Sequence, residues 1–223
     1  MNEYINNDIK QFCCSFPLYS YLAGTKIIIT GATGLIGSTI VRCILALDNG
    51  ASITIPVRNR AKAAAMYGAD TPRLDIVECD LMEYCTTMDE EFDYIILCAS
   101  PTAGKYMNEH PVETYELAVE TTRALLQYAR KHTIKGMVYV SSLEYYGQNF
   151  DDQIITEDFQ GYVDATSARS SYPMGKRAAE YLCASYALEY GIHAKVARLT
   201  QTFGAGVAAD DNRVFAQFAR SVM

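Results

Sequence analysis

Lys26-Ile27-Ile28-Ile29-Thr30 is a short β-branched run that passes directly into Gly31-Ala32-Thr33-Gly34-Leu35-Ile36-Gly37. Leu35 to Leu47 then carries apolar residues at helical spacing and ends at Asn49-Gly50, a helix stop signal. A strand that must turn at once into a helix, through glycines three residues apart, restricts the fold severely. Glycine turns are common, so the pattern gains its weight from this strand-to-helix context. One glycine makes the tight turn, one lets the backbone approach a pyrophosphate, and one lets helix and strand pack closely. The free N–H groups of the helix start then face the phosphates. Gly31, Thr33, Gly34, Leu35, Ile36 and Gly37 are therefore candidate contacts for NAD or NADP.

The rest of the chain repeats the alternation. Strands are expected at 53–57, 74–79, 93–98, 137–141 and 194–199, and helices at 59–67, 111–131, 171–190 and from 212 to 223. Pro111 sits in the tolerated first turn of the longest helix. Parallel strands need crossover helices, so the order predicts an α/β fold: a doubly wound, Rossmann-type parallel sheet with helices on both faces. Residues 1–22 read as an N-terminal extension with no assigned function, and 23–206 as the dinucleotide-binding domain. The segment 207–223 reads as the start of a substrate-binding region whose remainder is largely absent, because the chain stops inside a helical pattern. The polar stretch from Tyr146 to Ser170 is long for a connection, and long loops of this kind are usually functional or mobile.

Composition limits the partners. Nineteen basic against 26 acidic residues give a net charge of −7, which disfavours nucleic acid or an anionic membrane. No apolar run reaches the roughly 18 residues of a membrane span, and Met1-Asn2-Glu3-Tyr4 lacks the basic start of a secretory signal. Cysteines at 13, 14, 43, 79, 85, 98 and 183 form no C-x-x-C pair and read as buried, reduced thiols. These features together point to a soluble, cytoplasmic protein. His110, His132 and His193 show no metal-ligand spacing and are expected as caps or surface residues, so no metal is expected.

At the end of the second strand, where a carboxylate would bind the adenosine ribose of NAD, the sequence reads Pro56-Val57-Arg58-Asn59-Arg60. Arg58 can hold a 2′-phosphate, which tilts the reading toward NADP, or stack on adenine. Alternatively, Arg58 and Arg60 are solvated loop charges. Asp80, after the third strand, either approaches the adenine amino group or caps a helix.

Tyr172-Pro173-Met174-Gly175-Lys176 puts a phenol and an ammonium four residues apart, on one face of a helix. A lysine so placed is expected to lower the tyrosine pKa and make it a general base. Ser141-Ser142 ends the fifth strand, where a hydroxyl can polarise a substrate oxygen.

With the glycine loop, these residues resemble the extended short-chain dehydrogenase/reductases over roughly residues 24 to 206. That superfamily includes the NAD-dependent epimerase/dehydratase family, which acts on nucleotide sugars. The Tyr146-Gly147 pair, four residues past Ser142, selects Ser142 over Ser141 by this resemblance. Tyr172 and Lys176 match the family's base and its partner, and Leu81, Ala99 and Ser100 fall at dinucleotide contacts. Stretches such as Cys98-Ala99-Ser100-Pro101, Glu157-Asp158-Phe159-Gln160-Gly161 and Arg169-Ser170-Ser171-Tyr172 resemble the UDP-glucuronate decarboxylases in particular. Glu144 matches the glutamate that those enzymes keep beside the sugar; the alternative is a strand-end carboxylate pointing to water. Two departures stand out: the decarboxylases carry an acidic residue where Val57-Arg58 stands, and many relatives have asparagine where this chain has Gln201.

The resemblance implies an enzyme that oxidises the 4-hydroxyl of a nucleotide sugar onto its bound cofactor: an epimerase, dehydratase or decarboxylase. It also implies a homodimer formed through the 111–131 and 171–190 helices. Tyr145 and Tyr146 are expected either over the nicotinamide or in the core. The alternatives are an NADP-dependent sugar or carbonyl reductase and a non-enzymatic cofactor-sensing module.

Overall fold

A computed structural model of the chain describes residues 3–101, 103–151, 153–207, 211 and 213–222. Six strands, β1 (Lys26–Thr30), β2 (Ser52–Val57), β3 (Leu74–Glu78), β4 (Tyr94–Leu97), β5 (Gly136–Ser142) and β6 (Ala194–Leu199), form one sheet. Its spatial order is β3-β2-β1-β4-β5-β6, parallel at every pairing. The order reverses between β1 and β4, and ligands of such sheets bind outside the carboxyl ends at that switch point.

The helices are α1 (Glu3–Ser15), α2 (Tyr19–Leu22), α3 (Leu35–Ala46), α4 (Arg60–Tyr67), α5 (Leu81–Thr87), α6 (Gly104–Glu109), α7 (Pro111–Lys131), α8 (Ser171–Tyr190) and α9 (Val214–Val222). Side chains alternate across a strand, so both faces of β1 need a cover. Ile27 and Ile29 join Ile53, Ile55, Val41 and Ile44 under α3 and α4. Ile28 joins Ile95, Leu97, Leu125, Leu126, Ala179 and Cys183 under α5, α7 and α8. Two apolar layers thus sandwich the sheet, as a doubly wound fold requires.

Strand and long-helix bounds fall within about two residues of the sequence expectation. The first crossover helix stops at Ala46, short of the Asn49-Gly50 signal; Asp48 takes a left-handed φ of 48° instead. Asn49 then accepts the Ala51 N–H and turns the chain into β2. Both α5 and α6 went unassigned, though Asp80-Leu81-Met82-Glu83 is a capping signal. The N-terminal extension is not detached: α1 packs on α3, with Ile9 buried, and Leu22 packs against the core. Of the expected helix 212–223, Asn212 and Met223 lie outside the described residues. All seven cysteines are free, but against the expectation of burial only Cys85 and Cys183 are buried; Cys13, Cys43, Cys79 and Cys98 are half-buried and Cys14 is exposed. Among the described residues no helix is long and apolar enough to cross a membrane.

Candidate active site

The site is built on the carboxyl ends of β1, β4 and β5. Gly31 ends β1 at a φ of 66°, and a Cβ there would lie 2.7 Å from the Ala99 nitrogen. A Cβ on Gly37 would lie 2.4 Å from the Gly31 carbonyl oxygen. These two glycines therefore serve turn and packing. Gly34 differs: beyond the loop's own Gly31 carbonyl, 3.3 Å away, nothing lies within 4 Å of its would-be Cβ. Having no side chain, it gives the first amides of α3 no side-chain cap. Uncapped N–H groups beside open space suit a pyrophosphate. Thr33, Leu35 and Ile36 lie half-buried or better in the same turn.

At the end of β2, Arg58 is exposed and makes no hydrogen bond or ion pair among the described residues. Arg60 is not a free loop charge, because its guanidinium donates to the Ile76 carbonyl and its N–H to Glu78 at 3.2 Å. Asp80 takes its capping alternative, accepting the Glu83 N–H at 3.0 Å as the N-cap of α5. Leu81 follows, half-buried.

At the opposite end, Ala99 donates its N–H to Thr30 at 3.1 Å, tying β4 to β1. Ser100 and Ser142 bring hydroxyls up to the Tyr172 phenol, and both favour its ionised form. Ser100 Oγ is buried with no partner at full hydrogen-bond geometry, which leaves it available to a ligand. Ser141 is excluded from that role, since its hydroxyl is buried and donates to Glu180. Ser142 Oγ accepts the Glu144 N–H at 3.2 Å at the start of a 3-10 turn, Leu143–Tyr146. Glu144 does not point freely to water: Arg169 Nη2 holds its carboxylate at 2.7 Å.

Lys176 is 3 % exposed, and its Nζ donates to the Val140 carbonyl at 2.9 Å. Burial pulls its pKa down to about 8. The expected lowering of Tyr172 by this lysine is not found. Burial raises the phenol above its ordinary value, Glu144 adds to the rise, and Ser142, Ser100 and Arg169 oppose it. The reason is geometric: Nζ lies over the ring face, 5.5 Å from the centroid, and donates to the Val140 carbonyl rather than to the phenol oxygen.

Sequence reasoning missed what holds this end together. Arg198 from β6 donates to both Glu180 oxygens at 2.8–3.1 Å and to the Glu157 carbonyl at 2.7 Å. It also stacks 3.6 Å from the Tyr145 ring centroid, with Tyr146 at 5.0 Å. Arg177 donates to the carbonyls of Tyr145, Tyr146 and Gly161. Tyr145 and Tyr146 thus lie under arginines rather than in the core. The described part of the 146–170 stretch is thus pinned to α8 and β6, and a bridge pairs Gln148 with Tyr162 within it. The one available signal was Gly147, whose φ of 72° and whose Cβ position, 2.6 Å from the Tyr162 carbonyl, both demand glycine.

The arrangement offers a dinucleotide a phosphate cradle at one end and a hydroxyl-lined recess with a buried ammonium at the other. The model of the NAD dependent epimerase/dehydratase family matches residues 27–223. UDP-glucuronic acid decarboxylase 2 of Arabidopsis thaliana is 25 % identical over 221 residues, covering 99 % of this chain and 48 % of the relative. UDP-glucuronic acid decarboxylase 1 of Xenopus tropicalis is 25 % identical over 223 residues, covering 98 % and 51 %. This chain therefore spans about half the length of the curated relatives it matches. Among solved structures, the UDP-N-acetylglucosamine 4-epimerase of Methanobrevibacter ruminantium M1 superposes with a TM-score of 0.76 at 20 % identity, covering 90 % of this chain and 63 % of that one. The Bordetella bronchiseptica enzyme WbmF, solved in complex with NAD+ and UDP, gives 0.68 at 21 %, covering 87 % and 55 %.

Proposed function

The chain belongs to the NAD dependent epimerase/dehydratase family, and from that membership we propose that it acts on a nucleotide sugar, oxidising the sugar 4-hydroxyl during epimerisation, dehydration or decarboxylation. The observation that carries this reading is the meeting of the Ser142 and Ser100 hydroxyls at the Tyr172 phenol, above buried Lys176 and next to the glycine loop. A bound dinucleotide supplies the hydride acceptor and donor. Tyr172 takes the proton of the 4-hydroxyl, and Ser142 hydrogen-bonds the same oxygen. Lys176 keeps positive charge beneath the base, and Glu144 serves proton transfer at carbon 5. Gly31, Gly34 and Gly37 shape the pyrophosphate loop, while Leu81, Ala99 and Ser100 line the path between its two ends.

Oxidation and re-reduction in one site consume no outside redox partner. Turnover of a nucleotide sugar, followed by NMR, should therefore proceed with no net change in nicotinamide absorbance. Stoichiometric NADH or NADPH would instead make the protein a dehydrogenase or reductase.

Arg58 favours acceptance of NADP beside the NAD that the family description names, because an exposed guanidinium after β2, unpartnered among the described residues, can take a 2′-phosphate. By calorimetric titration, Arg58→Ala should weaken NADP about tenfold, as loss of one charge-assisted contact implies. NAD affinity should move by less than about twofold. Equal loss for both cofactors would make Arg58 an adenine contact. On the outer side of α7 and α8, Tyr115, Tyr181 and Leu188 are exposed, Leu188 by 90 %. This supports pairing of two copies through these helices; a monomer in sedimentation velocity at micromolar concentration would refute it.

A further inference from the structure

We propose that Cys13 and Cys43 are a modification site for a disulfide oxidant of the glutathione class, which joins them in a disulfide that fastens the N-terminal helix α1 to α3. Neither residue belongs to the site at the carboxyl ends of the strands.

The placement begins in the sequence of α1. Ile5, Ile9, Phe12 and Cys13 recur at three- and four-residue spacing and so share one face. Ile9 is buried, the other three are half-buried, and α1 packs on α3. Cys14, one residue on, is turned about 100° around the helix and is exposed. The helix thus tells two adjacent cysteines apart: Cys13 faces the seam and Cys14 faces water.

On α3, Val41 and Ile44 point to the sheet. Cys43 lies outside that stripe and is nevertheless half-buried, because α1 covers it. Burial pushes its thiol pKa up, and the next causes of the rise are Cys13 and Asp8. Both come from α1, so Cys43 looks across the seam at Cys13. Helices packed about 8–10 Å apart bring facing Cα atoms, each about 2.3 Å from its axis, to roughly 3.5–5.5 Å. A disulfide needs about 4.4–6.8 Å, so a pair on such a seam closes with little backbone movement.

The Cys13 thiolate attacks oxidised glutathione and releases one glutathione thiolate, leaving a mixed disulfide. The Cys43 thiolate then attacks the Cys13 sulfur and releases the second. The two protein thiols lose two electrons and two protons, and the oxidant becomes two molecules of reduced glutathione. Among the described residues of α1 and α2 only Ile9 is buried. The extension is therefore held by few contacts and opens readily, and the bond closes that opening.

The test uses the whole chain, reduced and then equilibrated in glutathione buffers of increasing oxidised fraction, with mass spectrometry of unreduced tryptic digests. Cleavage after Lys10, Lys26, Arg42 and Arg58 yields the peptides 11–26 and 43–58, which should appear joined and separate again on reduction. Cys14→Ser should leave the joined pair intact, whereas Cys13→Ser and Cys43→Ser should each abolish it. In the oxidised parent, amide hydrogen exchange in α1 should slow about tenfold or more, as a loop-closing bond implies. Cys43→Ser in the same buffer should show no slowing. A joined pair that survives Cys13→Ser, or glutathione left on Cys13 with no cross-link, would overturn the pairing. A cross-link with unchanged exchange in α1 would overturn the fastening.

Discussion

Tyr172→Phe should cut turnover about a thousandfold, the middle of the range for loss of a positioned general base, while dinucleotide affinity and melting temperature stay where they are. The change removes one oxygen and keeps the ring that packs at the head of α8, so its effect falls on proton transfer rather than on folding. Because burial holds the phenol above its ordinary value, the ionised fraction is small at neutral pH, and the rate should climb as the pH rises. The climb should flatten as Lys176 loses its proton at about 8. The same depressed lysine gives a check on the fold. Between about 8 and the ordinary lysine value near 10.4, the unfolded chain still binds a proton that the folded chain has released. Lys176 therefore contributes stability that rises with pH across that window. The buried thiols of Cys85, Cys98 and Cys183, pushed up to about 12 from 9.0, contribute stability that falls once the unfolded thiols ionise, so the lysine's rise is read by comparing the parent with Lys176→Met. A Tyr172→Phe protein with parental turnover would remove the phenol from the mechanism.

Glu180→Ala should be the most damaging single change to stability among those suggested by the site. The Glu180 carboxylate is 7 % exposed as a residue, accepts from Ser141, and takes three hydrogen bonds from Arg198. Removing it leaves the guanidinium with an uncompensated charge at the edge of the core, a loss of about 3–5 kcal/mol. For a chain of this size each kcal/mol is about 2–4 °C, so thermal denaturation should show a fall of roughly 6–20 °C. The double change Glu180→Met with Arg198→Met should lose much less, since no buried charge is stranded. The single variant should also loosen the Tyr145–Tyr146 segment that Arg198 clamps, and with it the positions of Ser142 and Glu144. If Glu180→Ala melted within about 1 kcal/mol of the parent, the pair would be worth no more than an exposed one.

The six strands, the glycine loop, and the helices at 35–46, 111–131 and 171–190 were legible because each is encoded locally. A β-branched run, a glycine spacing or a 3.6-residue period speaks within ten or twenty neighbouring residues. Helices α5 and α6 were not legible, being seven and six residues long, too short for a period to register. Asp80 was readable as a cap or a ligand contact; its bond to the Glu83 N–H gives the cap.

The sequence alone determined the doubly wound sheet, the glycine turn at 31–37, and the shared helix face of Tyr172 and Lys176. Only the tertiary structure decided what surrounds Tyr172. Arg169 meets Glu144 across 25 residues of chain, Ser141 meets Glu180 across 39, and Lys176 meets the Val140 carbonyl across 36. No spacing announces such pairs, because their proximity is set by parallel strands and the helix that crosses between them. For the same reason the sign of the Tyr172 shift could not be read from Tyr-x-x-x-Lys. A four-residue spacing fixes which face two side chains share, whereas desolvation depends on everything packed against that face.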